Sequence, residues 1–232
     1  MKLFKKFADS LRDVVFPVTC ACCGSSTTGK NRYICYWCET KRFQQASGYD
    51  SEILPEQVRF VFSMWQFDKG GYLQDLLHNL KYNFLREVGV ELGRLLGRRL
   101  DENLEDYLTG QIRDNEPVLI PVPLHKSKLK KRGYNQAEAL AAGISEMTRW
   151  EILGQDHVIR QKKTKTQTGL NSGQRAENLR DAFLLKSPES VQGRFPIIVD
   201  DVFTTGTTTF ELARTICKNR ELNTGIVTVA KA

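Results

Sequence analysis

Ile197-Ile-Val-Asp200-Asp201-Val-Phe-Thr204-Thr205-Gly206-Thr207-Thr208 reads as a strand, a turn and the start of a helix. Phe195–Val199 is a continuous apolar run, suited to a parallel strand buried on both faces. Two acids close it, and a small, hydroxyl-rich turn leads into a helical pattern over Thr207–Asn219. Ligands of parallel sheets bind beyond the carboxyl ends of the strands. The backbone N–H groups of such a turn and of the helix N-terminus form an anion site. Thr204, Thr205, Thr207 and Thr208 add hydroxyl donors there, and Gly206 admits a phosphate close to the backbone. Carboxylates repel phosphate, so Asp200 and Asp201 suit the vicinal hydroxyls of a ribose, or a divalent cation held by them. A ribose 5-phosphate satisfies both halves. The plain alternative is an ordinary strand–turn–helix capped by threonine. A Walker loop fits worse, because Gly-Lys-[Ser/Thr] is absent here.

Working outward, Val58–Phe67, Pro117–Val122, His157–Arg160 and Gly225–Ala230 read as further strands. Helical patterns start near Tyr72, run through 86–107 and return at Asn135–Thr148, with a helical turn around Arg175–Ala182. Strands alternating with helices predict an α/β domain with a mainly parallel sheet flanked by helices. The 232 residues suit one such domain over 58–232 plus a small N-terminal module over 1–50.

That module is marked by cysteine. Cys20, Cys23, Cys35 and Cys38 form C-x2-C-x11-C-x2-C, the spacing of a closed four-thiolate zinc site. Redox-active thiols or a disulfide pair are the competing readings, and Cys22 is an alternative ligand to Cys20 or Cys23. Cys217 lies in a helical pattern and reads as a small buried apolar residue.

The net charge of +7 is local. Residues 125–135 carry five basic side chains and residues 157–176 five more, with no acid in either. The remainder holds 24 basic against 27 acidic residues. The first 18 residues lack a continuous apolar export segment, and Leu3, Phe4, Phe7, Leu11, Val14 and Val15 recur at helical spacing. No run approaches the length of a membrane span, so a cytoplasmic chain is the expectation.

At Asp200–Thr208 the chain resembles the type I phosphoribosyltransferase fold, whose diphosphate-sugar (PRPP) motif is an apolar strand, two acids and a TTGxT-like loop. The resemblance extends in order through the cysteine module, Leu80-Lys81-Tyr82, Pro121-Val-Pro-Leu124, Arg132-Gly-Tyr-Asn-Gln136, Gln167 with Leu170, Arg175 with Asn178-Leu179, and Ala182-Phe183. This series is similar to the competence-protein F (ComF/GntX-like) family, which joins a zinc finger to a phosphoribosyltransferase domain and is associated with DNA uptake in natural transformation.

The resemblance implies that Asp200 and Asp201 take the ribose and Mg²⁺, and that Thr204–Thr208 hold the 5′-phosphate. It puts Arg132 and Lys81 at the pyrophosphate, and Gln167 and Arg175 in a loop closing over the site. A solvated helix face competes for Lys81, and a solvated loop for Lys126–Lys131. The implied reaction, where one occurs, displaces pyrophosphate at the anomeric carbon. The acceptor is not specified: purine enzymes of the hypoxanthine type place Asp where Thr204 stands. His78, His125 and His157 are the histidines available as bases, with only His125 near a ligand loop. A non-catalytic PRPP or nucleotide sensor, and an adaptor binding single-stranded DNA or other competence proteins, are the alternative functions.

Overall fold

The computed structural model describes residues 18–27, 32–46, 54–82, 85–107, 115–162, 179–218 and 222–232. The N-terminal helical pattern, Gln167, Leu170, Arg175 and Asn178 lie outside them.

Five strands form one parallel sheet: β1 (Val58–Gln66), β2 (Glu116–Pro121), β3 (Glu151–Ile152), β6 (Arg194–Phe203) and β7 (Thr224–Lys231). A separate antiparallel hairpin pairs β4 (Val158–Arg160) with β5 (Phe183–Leu185). The helices are α1 (Tyr72–Tyr82), α2 (Arg86–Tyr107), α3 (Lys126–Arg132), α4 (Gln136–Thr148) and α5 (Thr207–Cys217). The order β1-β7-β6-β2-β3 fixes where a ligand can sit. From β2 the chain crosses by α4 to β3 on one side; from β6 it crosses by α5 to β7 on the other. The neighbours β2 and β6 therefore diverge, and the loops after them open a crevice at the carboxyl edge.

Strand alternation feeds two cores. Phe195, Ile197 and Val199 pack with Leu76, Leu80, Leu92 and Leu140 on the α1–α2–α4 side. Ile198 packs with Leu212, Ile216 and Phe183 on the α5 side. Helices α2 and α4 cross closely through Gly93 and Gly143, since a Cβ on Gly143 would overlap the carbonyl oxygen of Val90. The four-cysteine segment joins the first core through Cys20, Ile34, Cys38 and Phe43. Phe43 rests on Trp65 with ring centroids 4.7 Å apart. Just beyond, Gln45 bridges antiparallel to Trp65, and Gln66 N–H donates to Gln44 O at 2.8 Å.

The α/β class and mainly parallel sheet agree with the sequence reading, with three differences. The acidic pair lies within β6, which continues to Phe203 because β7 carries the ladder on through Asp200↔Thr228 and Val202↔Ala230. The first basic segment is a helix, not a loop: His125 Nδ1 accepts from Ser127 N–H at its start, and Gly133 ends it at φ 76°. Of the turn expected at 175–182, Leu179–Ala182 is described and forms a single turn closed by Ala182 N–H to Leu179 O, 2.9 Å.

Candidate functional site

The crevice at the β2/β6 divergence is a cavity of about 730 Å³. Its lining includes Lys81, Arg132, Asp200, Asp201 and every residue of Thr204–Thr208. Thus the chain brings together all the described candidates for the sugar-phosphate site. Gly206 caps α5 at φ 70°, a left-handed conformation that glycine adopts without strain, and its α-carbon faces the Phe210 ring so closely that a Cβ would overlap it. Thr205 and Thr207 share a 2.6 Å hydroxyl–hydroxyl hydrogen bond at the mouth, and Thr209 Oγ1 donates to Gly206 O from beneath. Thr204 and Thr205 are exposed at the crevice, and Thr209 is buried beneath the loop.

Asp200 and Asp201 have different surroundings. Asp201 is 5% exposed and ion-paired to Lys81 of α1. Burial would raise its carboxyl, but the Lys81 ammonium outweighs burial and holds it below the usual range. Asp200 is half-buried, and its carboxyl is pushed well up by burial and by the adjacent Asp201 charge. Asp200 Oδ1 accepts Asp201 N–H at 2.9 Å.

Lys81 is thus neither a solvated helix-face residue nor an isolated cation; its position is fixed from two sides. Tyr134 O–H donates to Leu80 O, anchoring the end of α1, and burial pushes the Tyr134 phenol up to about 12. Asn135 ties the same turn to β2: its Nδ2 donates to Val122 O and its Oδ1 accepts Ala137 N–H, both at 3.1 Å, capping α4. Arg132 Nη1 donates to Gln136 Oε1 at 2.8 Å, and both line the cavity. So within Arg132–Gln136, Tyr134 and Asn135 position while Arg132 and Gln136 face the crevice.

Three lining cations were not individual site candidates in the sequence: Lys69, and Lys128 and Arg160, which fall within the two basic segments. Arg160 enters from the β4–β5 hairpin, 5.5 Å over the Phe183 ring, with the Asp200 charge acting on it. Lys128 enters from α3; burial lowers its ammonium, and Arg160, Arg132 and Lys81 add to that. With Lys69, five cations line a cavity holding two acids. His125, by contrast, is engaged as the cap of α3.

A second constellation lies in the N-terminal segment. The Sγ atoms of Cys20, Cys23, Cys35 and Cys38 lie within 4.8 Å of one another. Cys23 and Cys35 Sγ are 3.7 Å apart, far beyond a disulfide bond and close to the roughly 3.8 Å edge of a zinc–sulfur tetrahedron. Cys35 N–H points to Cys20 Sγ at 3.3 Å and Cys38 N–H to Cys35 Sγ at 3.4 Å, which orients thiolates for a cation. Gly24, at φ 74°, makes the first turn. This set can hold a metal such as zinc. Cys22 falls outside it, and all six cysteines are free thiols. Among the described residues, no helix is long and apolar enough to cross a membrane.

Fold and site define an α/β protein with a doubly wound parallel sheet, a cationic crevice at its switch point and an appended four-cysteine segment that can hold a metal. No family model matches the chain. It is 37% identical over 149 residues to the DNA utilization protein YhgH of Escherichia coli O6:H1, covering 63% of this chain and 62% of that protein. It is 38% identical over 104 residues to competence protein F of Haemophilus influenzae, 44% of each chain. Competence protein ComFC of Bacillus subtilis is 30% identical over 101 residues, 44% of this chain and 38% of that one. The matched region thus spans less than two thirds of these relatives. Over these regions the chain is similar to proteins named for DNA utilization and for competence.

Proposed function

We propose that the crevice binds PRPP, a ribose 5-phosphate bearing pyrophosphate, and that the protein serves DNA uptake as a PRPP-dependent component. The observation that carries this reading is one cavity uniting a hydroxyl-rich anion loop, an acidic pair and five cations. The 5′-phosphate suits the Thr204–Thr208 amides and hydroxyls, and the ribose diol suits Asp200 and Asp201. The pyrophosphate suits Arg132, whose planar guanidinium can make two parallel hydrogen bonds, with Lys81, Lys128 and Arg160 around it. Asp200 and Asp201 are the residues that would hold Mg²⁺, which would supply neutralising charge for the leaving group. Gln167 and Arg175 are proposed to close over the bound sugar and exclude water. The cysteine cluster is proposed to hold structural Zn²⁺. The printed names of the relatives, DNA utilization and competence proteins, support the role in DNA uptake.

Transfer of phosphoribosyl to an acceptor would break the bond from the anomeric carbon to pyrophosphate and form one to the incoming nucleophile. A non-catalytic sensing role, in which the same crevice binds PRPP without reaction, is the second reading. Calorimetric titration tests the binding. PRPP with Mg²⁺ is expected to bind, and to stabilise the fold by about 2.7 kcal/mol at a hundred times Kd. Asp200→Asn with Asp201→Asn is expected to abolish both effects; unchanged binding in that variant overturns the sugar site. Pyrophosphate release on adding nucleobases supports transfer, and silence supports sensing.

A further inference from the structure

We propose that the cysteine segment sets the affinity of the crevice for its ligand, with Arg42 as the positioning residue that carries the effect into α1. The inference rests on the PRPP reading of the crevice and concerns how that site is controlled. Two lining residues, Phe67 and Lys69, come from the connection between β1 and α1, residues 67–71. A third, Lys81, stands in the last turn of α1. The cysteine segment grips this connection at both ends. At its entry, Gln66 N–H donates to Gln44 O at 2.8 Å, and Phe43 rests on Trp65. At its exit, the Arg42 guanidinium lies 3.7 Å over the ring of Tyr72, the first residue of α1. The same guanidinium lies 4.6 Å over Trp37, which stands between Cys35 and Cys38. Arg42, Phe43 and Gln44 are consecutive, so both grips move together with the four-cysteine turn.

The connection cannot absorb such a movement. Asp68 caps α1, its Oδ2 accepting Leu73 N–H at 3.0 Å and its Oδ1 accepting Gln74 N–H at 2.9 Å. Gly71 N–H donates to Asp68 O at 2.9 Å, and a Cβ on Gly71 would overlap the Asp68 carboxylate. A shift of Tyr72 therefore carries Lys69 with it, and carries Lys81 along the helix; rigid elements and packed contacts of this kind transmit coupling. The cations give the grip its purpose. Five of them line a cavity with two acids, and their mutual repulsion opposes the empty, closed arrangement. Burial and the charges of Arg160, Arg132 and Lys81 all act to lower the Lys128 ammonium. Arg42 on Tyr72 holds Lys69 and Lys81 in place before the ligand arrives, so less ordering remains for binding to supply. Coupling is reciprocal, and a ligand fixed by these lysines must tighten the cysteine segment in turn.

The test uses the full chain loaded with zinc, titrated calorimetrically with PRPP and Mg²⁺, and the rate at which zinc passes to a chromophoric chelator. Arg42→Ala and Tyr72→Ala are each expected to weaken PRPP binding about tenfold, and the double variant no further. Tyr72→Phe, which keeps the ring face, is expected to recover most of the affinity. Tyr72 is 51% exposed while Leu73, Leu76 and Leu80 are buried, so Tyr72→Ala leaves the packing of α1 in place. It also lies outside the cysteine segment, and keeps the test intact where Arg42→Ala loses its zinc. Saturating PRPP is expected to slow zinc release from the wild type about tenfold and to leave release from Arg42→Ala unchanged. A residue that only steadied the fold would alter release equally with and without PRPP. Wild-type affinity in Tyr72→Ala, additive losses in the double variant, or zinc release indifferent to PRPP in the wild type each overturns the inference while the PRPP site stands. No PRPP binding by the wild type overturns the PRPP reading and the inference with it.

Discussion

Lys81 of α1 and Asp201 of β6 form an ion pair at the floor of the crevice, and both remain charged there. Burial acts to lower the ammonium and raise the carboxyl, but their mutual attraction outweighs it in each case. Lys81→Met leaves a carboxylate that is 5% exposed without its counter-charge. Breaking a buried pair this way costs about 3–5 kcal/mol; with 27% of the Lys81 side chain exposed, the low end is expected. Urea unfolding measures it, and the double variant with Asp201→Asn should recover most of the loss. Full stability in Lys81→Met would show that the pair contributes nothing.

Glu91 of α2 clamps the cysteine segment: it accepts the N–H groups of Tyr33 and, at 3.2 Å, Ile34. Burial raises its carboxyl, and these two donors only partly offset the rise. A carboxyl raised on folding contributes fully below its unfolded value, about 4.3, and loses that contribution as pH rises through the folded value. Glu91→Gln should therefore gain stability relative to the wild type as pH climbs from about 4 towards neutrality. Glu91→Ala should instead lose about 2 kcal/mol, because two amides are orphaned. Paired urea titrations across pH measure both; a pH-independent difference for the glutamine variant would contradict the burial of the charge.

Gly206→Ala meets two obstacles at once, a φ of 70° and the Phe210 ring. The loop must shift to relieve them. A loss of PRPP affinity of at least tenfold is expected in calorimetry, with a smaller change in melting temperature, since the loop lies at the rim. Wild-type affinity in this variant would argue that the loop does not touch the ligand.

Metal removal should propagate beyond the four thiols, because Cys20 and Cys38 belong to the same core as Trp65, Leu92 and Leu140. One zinc ion per chain is expected by elemental analysis. A strong chelator should lower the melting temperature of the whole chain rather than release a separate low-temperature transition. Calorimetric scans resolve the two outcomes, and an unaltered scan would show that the cluster is not a structural metal site.

The elements built on local pattern were legible. The apolar run of β6, the C-x2-C-x11-C-x2-C spacing and the 3.6-residue periodicity of α2 each declare themselves within a short window. What escaped depends on partners distant in the chain. Arg160 reaches the crevice because β4 pairs with β5, and nothing between positions 157 and 160 announces that pairing. Lys81 was ambiguous for the same reason: its neighbours in sequence suit a solvated helix face, whereas its counter-charge comes from β6. Aspartate is depleted in strands, so Asp200 and Asp201 read as the end of β6, yet pairing with β7 continues past them.

The bridge from Gln45 to Trp65 has a consequence for truncation. β1 is one of the two edge strands of the sheet, and the stretch Gln44–Ala46 occupies the unpaired side of its last residues. An exposed strand border templates addition of strands from other molecules. Excising the cysteine segment to obtain a minimal α/β domain would therefore uncover both Trp65 and that border, and the shortened protein should self-associate in light scattering even where its crevice is intact.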